Sequence, residues 1–138
     1  MDGTSLHETA MRVAGELPAV THTFPFGPEH DVFKVVGKIF LLASHLSGKP
    51  IVTLKCEPAH AQALRQEFET ITPGYHLNKK HWITITTGPG ITPDLVEELV
   101  LNAYLLVAEN LPRARRPLGL ESLQRAREIV VQEDEQRG

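Results

Sequence analysis

Apolar residues recur at helical spacing at the start of the chain, at Leu6, Ala10, Val13, Ala14 and Leu17, around a Ser5 and Glu8 pair with capping-box spacing. The pattern predicts a first helix over residues 5–17, ended by Pro18. From Thr21 to Cys56 the period changes to short β-rich runs separated by turn residues. Phe24 and Phe26 flank Pro25, Val32 to Val36 is a short run, and Gly37-Lys38 suits a tight hairpin. Ile39 to Ala43 is nearly all apolar, Ser47-Gly48-Lys49-Pro50 turns again, and Ile51 to Cys56 closes the series. Four strands joined as an antiparallel meander are expected.

Glu57-Pro58 opens a second helix with Ala61, Leu64 and Phe68 on one face, ending near Thr70. A loop from Thr72 to His81 leads into a further strand from Trp82 to Thr87, which Gly88-Pro89-Gly90 stops. Thr92-Pro93-Asp94 is a cap, a proline and an acid at a helix start, and the third helix runs to Asn110. Between Leu99 and Ala108 that helix is apolar almost all round, so more than one neighbour must cover it. A fourth helix from Leu120 to Gln132, with Leu123, Ala126 and Val130 on one stripe, could fold back onto it. A homodimer contact through Leu101, Tyr104 and Leu105 is the rival explanation.

The expected fold class is α+β: an antiparallel sheet of five or six strands packed against helices, in the order helix, four strands, helix, one or two strands, helix and C-terminal helix. Residues 1–112 are expected to form the domain and 113–138 a C-terminal extension.

Composition narrows the function classes. The 138 residues, 41% of them hydrophobic, suffice for one core without staples. The single cysteine allows no internal disulfide, and neither a leader nor a spanning segment is suggested, so a cytoplasmic protein without membrane function is expected. The net charge of -3 is unevenly spread. Residues 31–82 hold seven bases against four acids, among them all six lysines: Lys34, Lys38, Lys49, Lys55, Lys79 and Lys80. Solvated sheet edges account for such lysines, and so does a phosphate-binding surface.

Candidate chemistry is sparse. Alternation places Cys56 with Val52 and Leu54 on an apolar face, where a thiol is inert. His76 and His81 lack the further ligands of a metal site, Glu97 and Glu98 read as helix-start acids, and no phosphate-cradling or nucleophile motif occurs. Neither an enzyme nor a cofactor is expected. On the opposite sheet face, Thr53 and Lys55 share one side, as do Trp82, Thr84 and Thr86, with Lys80 in phase. Lysines beside an aromatic suit nucleic acid, the cations neutralising phosphate and the ring stacking on bases. Asn78 reads structurally as well, as a residue tolerant of left-handed turn conformations.

These stretches resemble the MmcQ/YjbR family. The resemblance rests on Phe24-Pro25-Phe26-Gly27-Pro28, Phe33-Lys34-Val35, Gly37-Lys38-Ile39-Phe40, Leu54-Lys55-Cys56 and above all Thr72-Pro73-Gly74-Tyr75-His76-Leu77-Asn78-Lys79-Lys80-His81-Trp82. It covers residues 5–113 and leaves out the tail from Arg115. It implies a CyaY-like α+β fold with projecting hairpins proposed to contact DNA, and no catalytic residues. Carried onto this chain, the signature marks Lys55, Asn78, Lys79, Lys80, His81 and Trp82 as a nucleic-acid surface. A protein-interaction or chaperone-like adaptor working through the third helix and the extension is the alternative, and a small-ligand role around Tyr75, His76, His81 and Trp82 a third reading.

Overall fold

Asp2, not Ser5, caps the first helix. In the computed structural model, whose described residues are 1–74 and 77–137 with side chains through Glu128, helix α1 spans Gly3–Glu16. The Asp2 carboxylate accepts the Ser5 N–H at 2.8 Å, satisfying one of the free donors of the first turn. That bond holds the carboxyl below its ordinary pKa. The face carrying Leu6, Ala10 and Ala14 is buried.

The meander follows as β1 (Val20–Thr23), β2 (Asp31–Val35), β3 (Lys38–Leu46) and β4 (Lys49–Lys55). Helix α2 (Pro58–Glu67) leads to β5 (Ile71–Pro73) and β6 (Trp82–Ile85). The six strands form one antiparallel sheet in the order β1-β2-β3-β4-β6-β5. The first hairpin turns at Val36-Gly37 in place of Gly37-Lys38, and the second at Ser47-Gly48 alone, with Lys49 and Pro50 already in the strand. All four turn residues have positive φ, as a two-residue turn matching the sheet twist requires. Val36 is strained there as a β-branched residue, and its packing against the core offsets the cost.

The inner face of the sheet is a continuous apolar layer. Leu41 stands opposite Leu54 and Ala43 opposite Val52, and β6 adds Ile83 and Ile85 beside them, all fully buried. Between β2 and β3 the register slips: Phe33 faces Leu41 while Lys34 faces Ile39, so Phe40 is an extra residue in β3. The bulge lets Phe40 and Leu41 both reach the core. Phe40 meets the ring of Tyr104 edge to face, with centroids 5.6 Å apart.

Tyr104 belongs to helix α3 (Pro93–Glu109), which packs beside α1 on the same face of the sheet. Its hydroxyl donates to the carbonyl of Pro18 at 2.7 Å, and burial pushes its pKa up to about 12. Tyr104 and Leu105 are fully buried within the chain and so offer no contact to a second copy, while Leu101 packs against the core and stays half exposed. Beyond a 3-10 turn at Arg113–Arg115, helix α4 (Leu120–Arg137) adds to the cover of α3. Leu120 is buried and Leu123 packs against the core, while Gln124 and Arg127 donate to the Glu109 carboxylate. Ala126, expected on the buried stripe, is exposed, and the Val130 side chain lies outside the described residues. Arg116 donates to the carbonyls of Leu111 and Glu109, closing the C-terminal end of α3. Among the described residues no helix is long and apolar enough to cross a membrane.

Candidate nucleic-acid interface

The segment between β5 and β6 is held at both ends by backbone bonds. Gly74 donates to the carbonyl of Trp82 at 2.9 Å, and the carbonyl of His81 accepts the N–H of Cys56 at the same distance. A Cβ at Gly74 would stand 2.5 Å from the Trp82 Cβ, so only glycine lets the two strands meet here. Inside these ties Asn78 builds a turn. Its side-chain oxygen accepts the Lys80 N–H at 2.9 Å and its carbonyl accepts the His81 N–H at 3.2 Å. Asn78 therefore acts through its side-chain acceptor, and its own φ is not positive. Lys79 and Lys80 occupy the middle of the turn, and Asn78 through His81 are all exposed.

Lys55 lies opposite Trp82 in the ladder and holds its ammonium 5.4 Å from the centre of the indole ring, a cation–π contact. Trp82 is only half exposed. A hollow of about 390 Å³ between the hairpin and the end of α3 is lined by Lys38, Ile39, Lys55, Trp82, Val107 and Leu111. The fold thus brings Lys55, His81 and Trp82 together and sets Asn78, Lys79 and Lys80 in the turn leading into them. Tyr75 and His76 lie outside the described residues. Among the described residues none of the six lysines has an ion-pair partner; the pairs formed are Arg12 with Glu97, His22 with Asp31 and Arg127 with Glu109.

Two residues expected on an open face are covered. Thr53 and Thr84 are 4% and 3% exposed, with their hydroxyls 3.1 Å apart across the ladder. Beside Thr53, on the outer side of the sheet, lies an apolar hollow of about 310 Å³ lined by Phe26, His30, Leu42, His45, Ile51 and Leu77. Sequence reasoning singles out none of these six as a site residue. The available signal is Phe24-Pro25-Phe26-Gly27-Pro28, where large rings sit in a stretch whose prolines and glycine dictate turns. Cys56 is 5% exposed, and burial, reinforced by the neighbouring Glu57, pushes its thiol up to about 11, in keeping with a core residue.

Helices layered on one side of an open antiparallel sheet, with a lysine-bearing hairpin and a loop-framed groove on the other, define the α+β class of this fold. The chain belongs to the YjbR family, whose model matches residues 15–106, a span that contains Lys55, Asn78, Lys79, Lys80, His81 and Trp82 and ends before α4. It is 48% identical over 113 residues to the uncharacterised protein YbdF of Escherichia coli O157:H7, covering 82% of this chain and 93% of that one. To the uncharacterised protein YjbR of Escherichia coli K12 it is 32% identical over 85 residues, covering 62% and 72%. Among solved structures, Deinococcus radiodurans protein DR2400, a DUF419 domain, superposes with a TM-score of 0.70 at 36% identity, covering 83% of this chain and 84% of that one. A Pseudomonas syringae protein at 22% identity has the same fold, with a TM-score of 0.58 over 77% of this chain and 98% of that one.

Proposed function

We propose that the protein is a DNA-binding module of the cytoplasm that catalyses no reaction and needs no cofactor. The observation that carries this reading is the exposed Asn78–His81 turn, which holds Lys79 and Lys80 free of ion pairs among the described residues, beside the Lys55–Trp82 contact. Unpaired ammonium groups on a backbone-tied turn can neutralise phosphates with little reordering, and each neutralised phosphate releases counterions. His81 and Asn78 add polar groups next to the same path.

The net charge of -3 implies that affinity comes from this local cluster, so binding is weak and sensitive to salt. Fluorescence anisotropy of labelled DNA at two salt concentrations tests it. The logarithm of affinity should fall with the logarithm of salt, and Lys79→Ala with Lys80→Ala should flatten the slope by about 0.9 for each duplex phosphate that is no longer neutralised. An unchanged slope removes the turn from the interface, and no binding at low salt removes the function. The adaptor alternative gains nothing from Tyr104 and Leu105 of α3, which are covered within the chain, and retains the half-exposed Leu101 and Leu106 with the outward surface of α4.

A further inference from the structure

The outer face of the sheet combines three properties that together suit a single strand better than a duplex. We propose that this face binds single-stranded DNA, with a base entering the hollow beside Phe26 and Leu77 and the phosphates running toward the lysines; this rests on the DNA-binding reading above and specifies its ligand.

The first property is segregation of charge by layer. The six strands contain four lysines, Lys34, Lys38, Lys49 and Lys55, against one acid, Asp31, and that acid is bonded to His22 at 2.7 Å. Helix α3, on the inner side, contains four acids, Asp94, Glu97, Glu98 and Glu109, and no base. A polyanion is attracted to the sheet side and repelled from the helix side.

The second is the presentation of aromatic rings. Phe26, at the outer hollow, is 60% exposed, unusual for so large an apolar side chain, while Phe24, 50% exposed, packs on His22 at the sheet edge with ring centroids 4.9 Å apart. They are not on a slack loop. The N–H of Gly27 bonds back to the carbonyl of Phe24, the N–H of His30 bonds back to that of Gly27, and Pro25 and Pro28 fix φ within these turns. A ring held out by rigid turns stacks on a base with little loss of entropy, and such stacking tolerates any base.

The third is the hollow itself. At about 310 Å³ it falls at the lower end of the roughly 300–1,000 Å³ of small-ligand clefts, and Leu42, Ile51 and Leu77 make it apolar while His30 and His45 offer hydrogen bonds at its edge. Bases stacked within a duplex cannot enter it, whereas unstacked bases can. Neither α1 nor α3 suits a major groove, since both bury their apolar faces on the opposite layer and α3 is acidic. An apolar hollow also favours thymine, whose methyl group uracil lacks, and so points to DNA over RNA.

Anisotropy with labelled oligo(dT), a duplex of equal length and oligo(rU) tests the assignment, using the full chain and its Phe26→Ala and Phe26→Tyr variants. Oligo(dT) should bind most tightly. Phe26→Ala should weaken it by roughly 5- to 100-fold without changing the salt slope, and Phe26→Tyr should restore it. Duplex or oligo(rU) bound as tightly as oligo(dT), or an unaffected Phe26→Ala variant, overturns the single-strand assignment while leaving DNA binding standing. No binding to any of the three sinks both.

Discussion

The two faces of the sheet are made from the same strands and obey different rules. On the inner face Phe33, Leu41, Val52, Leu54, Ile83 and Ile85 lie under α1 and α3 with almost no exposure. On the outer face of the same strands, Lys34, Leu42, Ser44, Lys55 and Trp82 are all half exposed, and the cover comes from loops. Strand alternation puts neighbouring residues under these two regimes. The inner face determines whether the chain folds, and the exposed positions of the outer face are free to vary in the chemistry they offer, unlike Ile51, Thr53 and Thr84, which are buried there. Substitutions on the two faces should therefore separate cleanly into losses of stability and losses of binding.

The largest effects belong to the inner layer. Leu105→Asp places a carboxylate where the chain is fully buried and should prevent folding altogether, read as loss of the cooperative urea transition. A folded monomer would show that α3 is less tightly covered than its burial indicates. Phe40→Ala removes the bulge residue that meets Tyr104 and should cost about 3–5 kcal/mol in urea unfolding. A loss below about 1 kcal/mol would mean that the bulge is a passive irregularity.

Next in size is the tie between the faces. Gly74→Ala forces a methyl group against the backbone and Cβ of Trp82 and should cost about 1–3 kcal/mol while displacing the lysine-bearing turn. Among variants that still fold, binding and stability should fall together in this one alone, and unaltered salt dependence would separate the turn from the strand that holds it. Alkali probes the inner layer differently. Cys56 and Tyr104 lose their protons near pH 9 and 10 when free, and burial moves them to about 11 and about 12 in the folded chain. The folded state thus keeps protons that the unfolded state has released, so stability is full below about pH 9 and falls as pH rises toward 12. Cys56→Ala should remove the first part of the fall; an unchanged urea midpoint across this range in the unsubstituted chain would contradict the burial of both groups.

How much of this is legible in the residues alone follows the same division. The inner face is legible because Val52 to Cys56 alternates and α1 has an unbroken helical period, patterns that set one apolar side against a polar one. The need for cover on several sides of α3 is equally plain. That the cover is α1, the sheet and Leu120, with no second copy required at Tyr104 and Leu105, depends on where distant elements meet. Ile39 to Ala43 hides the bulge, since an all-apolar run gives no phase from which a slip of one residue could be noticed. Ile71–Pro73 reads as loop because three residues ending in proline carry too little pattern for a strand. Lys55, Asn78, Lys79, Lys80, His81 and Trp82 stand out by residue type and motif. The hollow beside Thr53 does not, because its walls come from separate segments scattered between Phe26 and Leu77.

The smallest expected change in stability is the one that sharpens the comparison most. Phe26 is 60% exposed, so Phe26→Ala gives up little buried area, and the turn that presents it is held by Pro25 and the Gly27 and His30 backbone bonds, none of which the substitution touches. Its unfolding free energy should stay within about 0.5 kcal/mol of the unsubstituted chain. Set beside Phe40→Ala, the same chemical deletion would then differ about sixfold or more in its cost, purely through which side of the sheet carries the ring. An aromatic side chain that contributes almost nothing to folding, yet is held rigidly in solvent, has no structural reason for its size. A loss of more than about 1 kcal/mol would supply such a reason and would return Phe26 to the core.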